Sequence, residues 1–364
     1  MEAVVNRLRL DTLGAAFART LRAHRWPVGL ILGFLICGYA FTAALGRPRA
    51  FNLGLYNHAL MILLGTAATL FLLGYVFYVM IYVRPERLTA YLCSDFPARF
   101  GQPERLFGLG LVLLILPVYL SGISSLKTLI PTVQPFVWDP AFVEVDRWLH
   151  GGHDPWRLLQ PILGSPGATY LVNVLYNIWF FICYGVILWQ AASHSLSARR
   201  LQFFIAFILC WALLGTVAAM GLSSAGPVFF GRLFGQPDPY APLMDYLYQA
   251  NDLFEVWALH AQGLVWESYR SGYQIPGGGI SAMPSLHVAM AWLFALTAWQ
   301  HNRKLGVAFV AYAAVIQTGS VHLAWHYAID GYFSILATTL IWWVAGRIAR
   351  RELPDSALDE GKAG

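Results

Sequence analysis

Eight apolar stretches dominate this sequence, and their lengths constrain its fold more than any other feature. A helix needs about 20 apolar residues to cross a lipid bilayer, and the stretches approach or exceed that length. Only 12% of the residues are charged, whereas a soluble domain carries about 25%. The sequence therefore predicts an all-α, polytopic membrane helix bundle with about eight transmembrane helices, at residues 26–45, 58–83, 106–125, 168–192, 201–222, 285–300, 305–321 and 327–348.

Basic residues flank these stretches in an alternating pattern. They precede the first span, lie between the second and third, the fourth and fifth, and the sixth and seventh, and follow the eighth. Because cytoplasmic loops are enriched in Lys and Arg, we expect a multi-pass protein of the inner or plasma membrane with both termini in the cytoplasm, including the polar tail 349–364. The two long loops, 126–167 and 223–284, then lie outside, and their mixed composition predicts folded caps or interfacial helices.

Net charge and cysteine usage exclude other classes of protein. The net charge of +5 is small, and nothing in its distribution predicts nucleic acid as a partner. The four cysteines have neither zinc-site nor disulfide-framework spacing, so we interpret them as packing residues. The sequence makes no prediction of oligomeric state.

A glycine-rich segment leads into the sixth span. The residues Gly277–Gly279 let a backbone approach a ligand closely, and Pro284 suits the first turn of a helix. The free N–H groups of that turn, with the positive end of the helix dipole, form an anion site. Ser285 adds a hydroxyl there, and His287 lies in the same turn. A phosphate site is one interpretation, and a glycine-rich loop with an interfacial histidine is the other.

A second polar group lies at the start of the eighth span. His322, His326 and Asp330 follow one another at i, i+4 and i+8 and would share one helical face. A carboxylate one turn beyond His326 can fix its tautomer and leave the other ring nitrogen as a nucleophile or base. The same three residues also have the spacing of a metal site. A polar helix end that reaches water is the remaining alternative.

Both segments resemble signatures of the type 2 phosphatidic acid phosphatase (PAP2) superfamily. Pro284-Ser285-Leu286-His287 is similar to its second signature, P-S-G-H, and His326-Tyr-Ala-Ile-Asp330 is similar to the H-x-x-x-D end of its third. Leu286 in place of glycine, together with the HYAID run, resembles the branch that contains fungal inositol phosphorylceramide synthase and its bacterial relatives. The resemblance covers about residues 103–348, as a six-helix core, and leaves 1–102 as an addition with two further transmembrane helices.

The resemblance implies a role for each matching residue. His326 would be the nucleophile and form a phosphohistidine, Asp330 would orient it, and His287 would protonate the leaving group. Ser285, with the backbone N–H groups of Gly278 and Gly279, would hold the phosphate. The resemblance implies neither a metal nor another cofactor.

The sequence departs from the family pattern where a cation should hold the phosphate. The third signature begins with Ser-Arg, but Gly319 and Ser320 stand at those positions. The first signature, K-x6-R-P, is matched only in part by Lys127-x6-Gln134-Pro135. The candidates for the missing positive charge are Lys127, Arg232, Arg270 and His322.

These observations predict a lipid phosphotransferase or phosphatase that works at the extracytoplasmic membrane face. Its partners would be a phosphorylated lipid, a second lipid or water as acceptor, and the membrane. Transfer of a phospho-headgroup between lipids is favoured by the branch resemblance and by two long loops that can exclude water. The alternatives are a metal-dependent membrane hydrolase that uses His322, His326 and Asp330, and a transporter with a histidine proton relay.

Overall fold

The computed structural model describes residues 2–192 and 197–353, and every regular element in these ranges is helical. The predicted tail after residue 353 lies outside the described residues. Short 3-10 turns cover Pro48–Ala50 and Pro227–Phe229, and π-helical turns cover Val79–Val83 and Cys210–Ala218. The α-helices are α1 Glu2–Ala23, α2 Arg25–Ala44, α3 Asn57–Tyr78, α4 Leu88–Phe100, α5 Pro103–Thr128, α6 Ile130–Val133, α7 Asp139–Leu149, α8 Pro155–Leu163, α9 Pro166–Asn177, α10 Trp179–Ala191, α11 Ala198–Leu209, α12 Ala219–Gly221, α13 Phe230–Phe234, α14 Ala241–Asn251, α15 Trp257–Ser271, α16 Leu286–His301, α17 Arg303–His322 and α18 Ala328–Glu352.

Within the described residues, six helical stretches are long and apolar enough to cross a membrane: Arg25–Ala44, Pro103–Val133, Pro166–Ala191, Ala198–Gly221, Arg303–His322 and Ala328–Glu352. The other two predicted spans are also helical, as α3 with its π-helical turn and as α16. The all-α membrane architecture is thus confirmed, because a long apolar run must satisfy its backbone polar groups internally when no water is available.

Helix α16 forms the centre of the bundle. It packs against α17, α18, α11 and α10, and most of its side chains from Leu286 to Ala298 are buried. A helix that is apolar on all sides is buried in a protein core or in a membrane, and other helices surround α16 here. The central position of α16 fixes His287 at one end of the bundle core.

The N-terminal helices pack on this core rather than apart from it. Helices α1 and α2 contact α5, and α2 also contacts α11. The segment between α2 and α3 lies on the end of α5, where the backbone N–H of Asn52 donates to Ser125 Oγ at 3.0 Å and that of Tyr56 donates to Ser121 Oγ at 3.2 Å.

The two long loops fold as short helices over the end of the bundle where α16 and α18 begin. Helix α7 contacts α18, α8 contacts α17, and α14 and α15 contact α9. At the opposite end, Arg25 forms an ion pair with Glu352, and Arg199 donates to the Gln300 carbonyl. The bundle therefore has one end covered by loop helices and one end rich in arginine.

Candidate active site

His326 lies in a tight loop between α17 and α18, not on a continuous helix. Helix α17 ends at His322, and Ala324 adopts the left-handed conformation with φ +61°. The backbone N–H groups of Trp325 and His326 both donate to the Ser320 carbonyl, at 2.9 and 3.1 Å. The prediction that His322, His326 and Asp330 share one helical face is therefore wrong, because the loop reverses the chain between the first two.

The pair formed by His326 and Asp330 has the predicted geometry. His326 Nδ1 lies 3.2 Å from Asp330 Oδ2, and both side chains are almost fully buried. The same oxygen accepts from the backbone N–H of Tyr327 at 3.0 Å, which caps α18. Burial and the positive charge of Lys127 lower the pKa of the His326 ring to about 3, so the ring is neutral. With Nδ1 held by the carboxylate, Nε2 is the nitrogen suited to react.

Two aspartates that the sequence reasoning missed hold the His326 loop through hydrogen bonds. Asp146 Oδ2 and Oδ1 accept from the backbone N–H groups of Ala328 and Ile329, at 2.8 and 2.9 Å. Asp139 Oδ1 accepts from the Tyr327 hydroxyl at 2.8 Å. Both carboxylates belong to α7 in the first long loop, and both are buried. The signal that could have found them is the spacing of two acids, at i and i+7, on one face of an amphipathic helix.

Asp139 also connects the His326 loop to the second long loop. Its carboxylate accepts from the backbone N–H groups of Ala225 and Gly226, at 3.0 and 2.8 Å. Gly226 adopts φ +95°, and a Cβ built there would lie 2.7 Å from the Trp325 carbonyl oxygen. Only glycine allows that approach without strain, so the chain around Trp325 packs directly on this turn.

The buried carboxylates of α7 have raised pKa values. Burial raises the pKa of Asp146 to about 6, against the opposing effect of its two backbone hydrogen bonds, and the charge of Asp330 adds to the rise. Burial likewise raises the pKa of Asp139. Asp146 is therefore mainly ionised at neutral pH, and it becomes protonated in mildly acidic solution.

His287 lies opposite His326, with its ring among aromatic side chains. The two imidazole centroids are 6.5 Å apart. The His287 ring stacks on Tyr176 at 4.9 Å and contacts Trp179 at 4.3 Å and Phe180 at 5.9 Å. The indole N–H of Trp179 donates to the backbone carbonyl of His287 at 3.0 Å. These rings come from the fourth predicted span, where sequence reasoning found no site residue.

The turn before α16 joins the two histidine segments. The Ser285 side chain accepts from the backbone N–H of Val288 and so caps α16, and the backbone N–H of Ser285 lies 3.4 Å from the carbonyl oxygen of Asp330. Leu286 stands where the family pattern has glycine, and it packs against Gly215. A Cβ built at Gly215 would lie 2.8 Å from Leu286 Cδ1. The leucine thus occupies space that a glycine on a neighbouring helix leaves open.

The glycine-rich segment brings Lys127 to the site. Gly279 adopts φ +88°, and a Cβ built there would lie 2.7 Å from the backbone carbonyl carbon of Lys127. The partly buried ammonium group lies close enough to interact electrostatically with both His287 and His326. Gly278 forms a turn in which its N–H donates to the Ile275 carbonyl at 2.9 Å, so that N–H is already occupied.

The other candidate cations have different partners. Arg232 is exposed and lies over the Trp266 ring at 5.0 Å. Arg270 is exposed and pairs with Glu267 at 3.8 Å. His322 is buried, with Nε2 2.9 Å from Thr169 Oγ1. Of the four candidates, Lys127 is the one whose charge acts on both histidines.

The ligand set required by the metal-site alternative is not formed. The His322 ring bonds to Thr169 and not to the His326–Asp330 pair. Among residues 2–192 and 197–353, no group of three or more His, Cys, Asp or Glu side chains has a geometry that could hold a metal ion. The spacing of His322, His326 and Asp330 suggested three ligands on one face, and the loop at Ala324 separates them.

A comparison with protein families agrees with the site geometry. The model of the PAP2 superfamily matches residues 140–344, which is more than half of the 364 residues and includes both histidine segments. Comparisons with curated proteins and with solved structures found no match. The chain belongs to the PAP2 superfamily, and this membership supports a phosphatase-type or phosphotransferase-type function on lipids.

Proposed function

We propose that the protein transfers the phospho-group of a membrane lipid through a covalent intermediate on His326 Nε2, at the extracytoplasmic face. The observation that carries the proposal is the convergence of a buried, carboxylate-oriented histidine, a second histidine 6.5 Å away and a lysine whose charge acts on both. The catalytic core would be residues 103–348, with both termini in the cytoplasm.

In the first step, His326 Nε2 attacks the phosphorus atom of the lipid. The bond from phosphorus to the leaving oxygen breaks, and His287 donates a proton to that oxygen. Asp330 stabilises the positive charge that the phosphorylated imidazole acquires. Lys127, the Ser285 hydroxyl and the first N–H groups of α16 stabilise the phosphate oxygens, where charge develops in the transition state.

In the second step, an acceptor hydroxyl attacks the phosphohistidine. His287 removes the proton from that hydroxyl, and the P–N bond to His326 breaks. Water as acceptor gives a phosphatase, and a lipid or sugar hydroxyl gives a transferase. We favour transfer, because helices of both long loops cover this end of the bundle and limit access of water, and because the HYAID segment resembles the inositol phosphorylceramide synthase branch.

Turnover of defined lipids tests the proposal. Purified protein is incubated with labelled phosphatidic acid, phosphatidylinositol or polyprenyl pyrophosphate, each with and without ceramide. We expect release or transfer of the label, full activity in EDTA, inhibition by vanadate, and loss of turnover in His326→Ala. The matched control is His260→Ala, which removes an exposed histidine of α15 in the second long loop and should retain activity. Full activity of His326→Ala would refute the mechanism.

A further inference from the structure

We propose that the cleft between α5 and α10 binds a hydrocarbon chain of the phosphorylated lipid, with Tyr56 of the N-terminal addition at the head of the chain. This inference rests on the proposed function, since it supplies the lipid part of the same substrate. Its lining consists of seven aliphatic or proline side chains and the rings of Tyr56 and Tyr184.

The wall formed by α5 leads from the cleft to the cation of the site. Leu113, Leu116 and Leu120 line the cleft, and Ser124 and Lys127 continue the same face at the spacing of successive turns. At 1.5 Å per residue, Leu116 and Lys127 are about 16 Å apart along the helix axis. The hydrocarbon layer of one leaflet is about 15 Å thick, half of the bilayer core. A chain in the cleft therefore places its headgroup at Lys127.

The wall formed by α10 leads in the same way to His287. Trp179 and Phe180, which contact the His287 ring, lie in the first turn of α10. Tyr184 and Leu188 follow one and two turns later and line the cleft. Both walls thus connect an apolar cleft to one side of the phospho-group site. The lining is almost entirely apolar and matches a hydrocarbon chain, which carries no hydrogen-bonding group.

Tyr56 links the cleft to the glycine-rich segment. Its ring lines the cleft, and its hydroxyl oxygen accepts from Ser124 Oγ at 3.3 Å. A Cβ built at Gly277 would lie 3.9 Å from that hydroxyl oxygen. Gln274 also donates to the Ala50 carbonyl at 2.8 Å. The segment before α3 is therefore part of the site, although it lies outside the region that matches the family.

A pair of tryptophan substitutions on α5 tests the proposal. Leu113→Trp fills the cleft, whereas Leu114→Trp adds the same bulk at the same depth on a side chain that is 72% exposed on the outer surface of the bundle. The substrates are dioleoyl and dihexanoyl phosphatidic acid, which share a headgroup and differ in chain length. We expect Leu113→Trp to lower kcat/KM about tenfold for the long-chain lipid, since overpacking of this size opposes binding. Its activity on the short-chain lipid, and both activities of Leu114→Trp, should stay within about twofold of wild type.

Equal effects of Leu113→Trp on both lipids, or no effect on either, would overturn the cleft assignment. If the wild type turns over neither lipid, the proposed function is contradicted instead. The cleft is therefore also tested by a binding measurement that does not depend on turnover. Phosphatidic acid with a diazirine in mid-chain is photolysed with the wild type and with His326→Ala. Label in residues 112–120 and 184–188 of both proteins, reduced by Leu113→Trp, supports the assignment. Label spread evenly over exposed helix faces contradicts it.

Discussion

The loop that carries His326 and the helix turn that carries His287 hold their imidazole rings in opposite ways. His326 bonds to a carboxylate, a second carboxylate accepts from backbone N–H groups on its C-terminal side, and a third accepts from the Tyr327 hydroxyl. The His287 ring lies among three aromatic rings, and within the described ranges the structure records no hydrogen bond to it. This difference in surroundings matches the different requirements of a nucleophile and a proton donor. A nucleophile requires one tautomer and one position, whereas a proton donor must gain and lose a proton without losing its place.

The largest expected effect comes from removing the carboxylate that orients His326. Asp330→Asn keeps the size of the side chain but no longer selects the tautomer with Nε2 free. Loss of the corresponding carboxylate in a serine protease triad lowers kcat about 10⁴-fold, and we expect a fall in kcat of about 10³–10⁴-fold here. The measurement is single-turnover kinetics on labelled phosphatidic acid.

The matched control for that experiment is Asp245→Asn, which changes an exposed aspartate of α14 in the second long loop. It should leave kcat within about twofold of wild type, as surface substitutions usually do. An Asp330→Asn variant as active as this control would mean that the carboxylate does not select the tautomer of His326.

The second effect concerns the proton that His287 supplies. General acid catalysis contributes about 10²–10⁴-fold, so His287→Gln should lower turnover of phosphatidic acid by that range. A p-nitrophenyl phosphoester of the same lipid has a leaving group that needs no proton, so the first-turnover release of p-nitrophenol by the variant should be nearly as fast as by wild type. An equal loss on both substrates would show that His287 acts on binding or folding rather than on proton transfer.

A smaller effect is expected where α7 supports the loop. Asp146→Asn replaces an acceptor of two backbone N–H groups by an amide that accepts at one atom only, and we expect kcat to fall about tenfold, as for the loss of one hydrogen bond to a charged group. Wild-type activity should also fall as the pH drops through about 6, the raised pKa of Asp146. The pH–rate profile of Asp146→Asn should lack that decrease.

Protonation of Asp146 should increase the stability of the folded protein, although it lowers activity. The folded state binds the Asp146 proton more tightly than the unfolded state, because its pKa is raised from 3.8 to about 6. Between these values the free energy of unfolding therefore decreases as pH rises. Thermal melts in detergent should show this slope in the wild type and a weaker slope in Asp146→Asn. Identical slopes in the two proteins would mean that a group other than Asp146 causes the pH dependence.

The helices were predictable from the sequence, and the contacts that make the site were not. Span ends such as Pro103 and His322 lie within a few residues of the predicted limits, because apolar length in a bilayer is a local property. The hydrogen bonds of Asp139 and Asp146 to the His326 loop cross more than 180 residues of sequence. No periodicity in α7 specifies such partners.

Choosing among the candidate cations also required tertiary structure. Lys127, Arg232 and Arg270 are equally basic in the sequence, and the close packing of Gly279 on the end of α5 selects Lys127. The continuous helix expected through His322 and His326 failed for a different reason. Ala324 adopts a left-handed conformation that its residue type does not predict, because residues other than glycine rarely have a positive φ.

Trapping of the covalent intermediate tests the central claim most directly. Purified protein is mixed with phosphatidic acid labelled with ³²P, quenched in base after one turnover time, and digested for mass spectrometry. The account predicts a phosphate on His326 that is stable to base and labile to acid, and that is absent from His326→Ala. Turnover without label on His326, or with label on another residue, would contradict it.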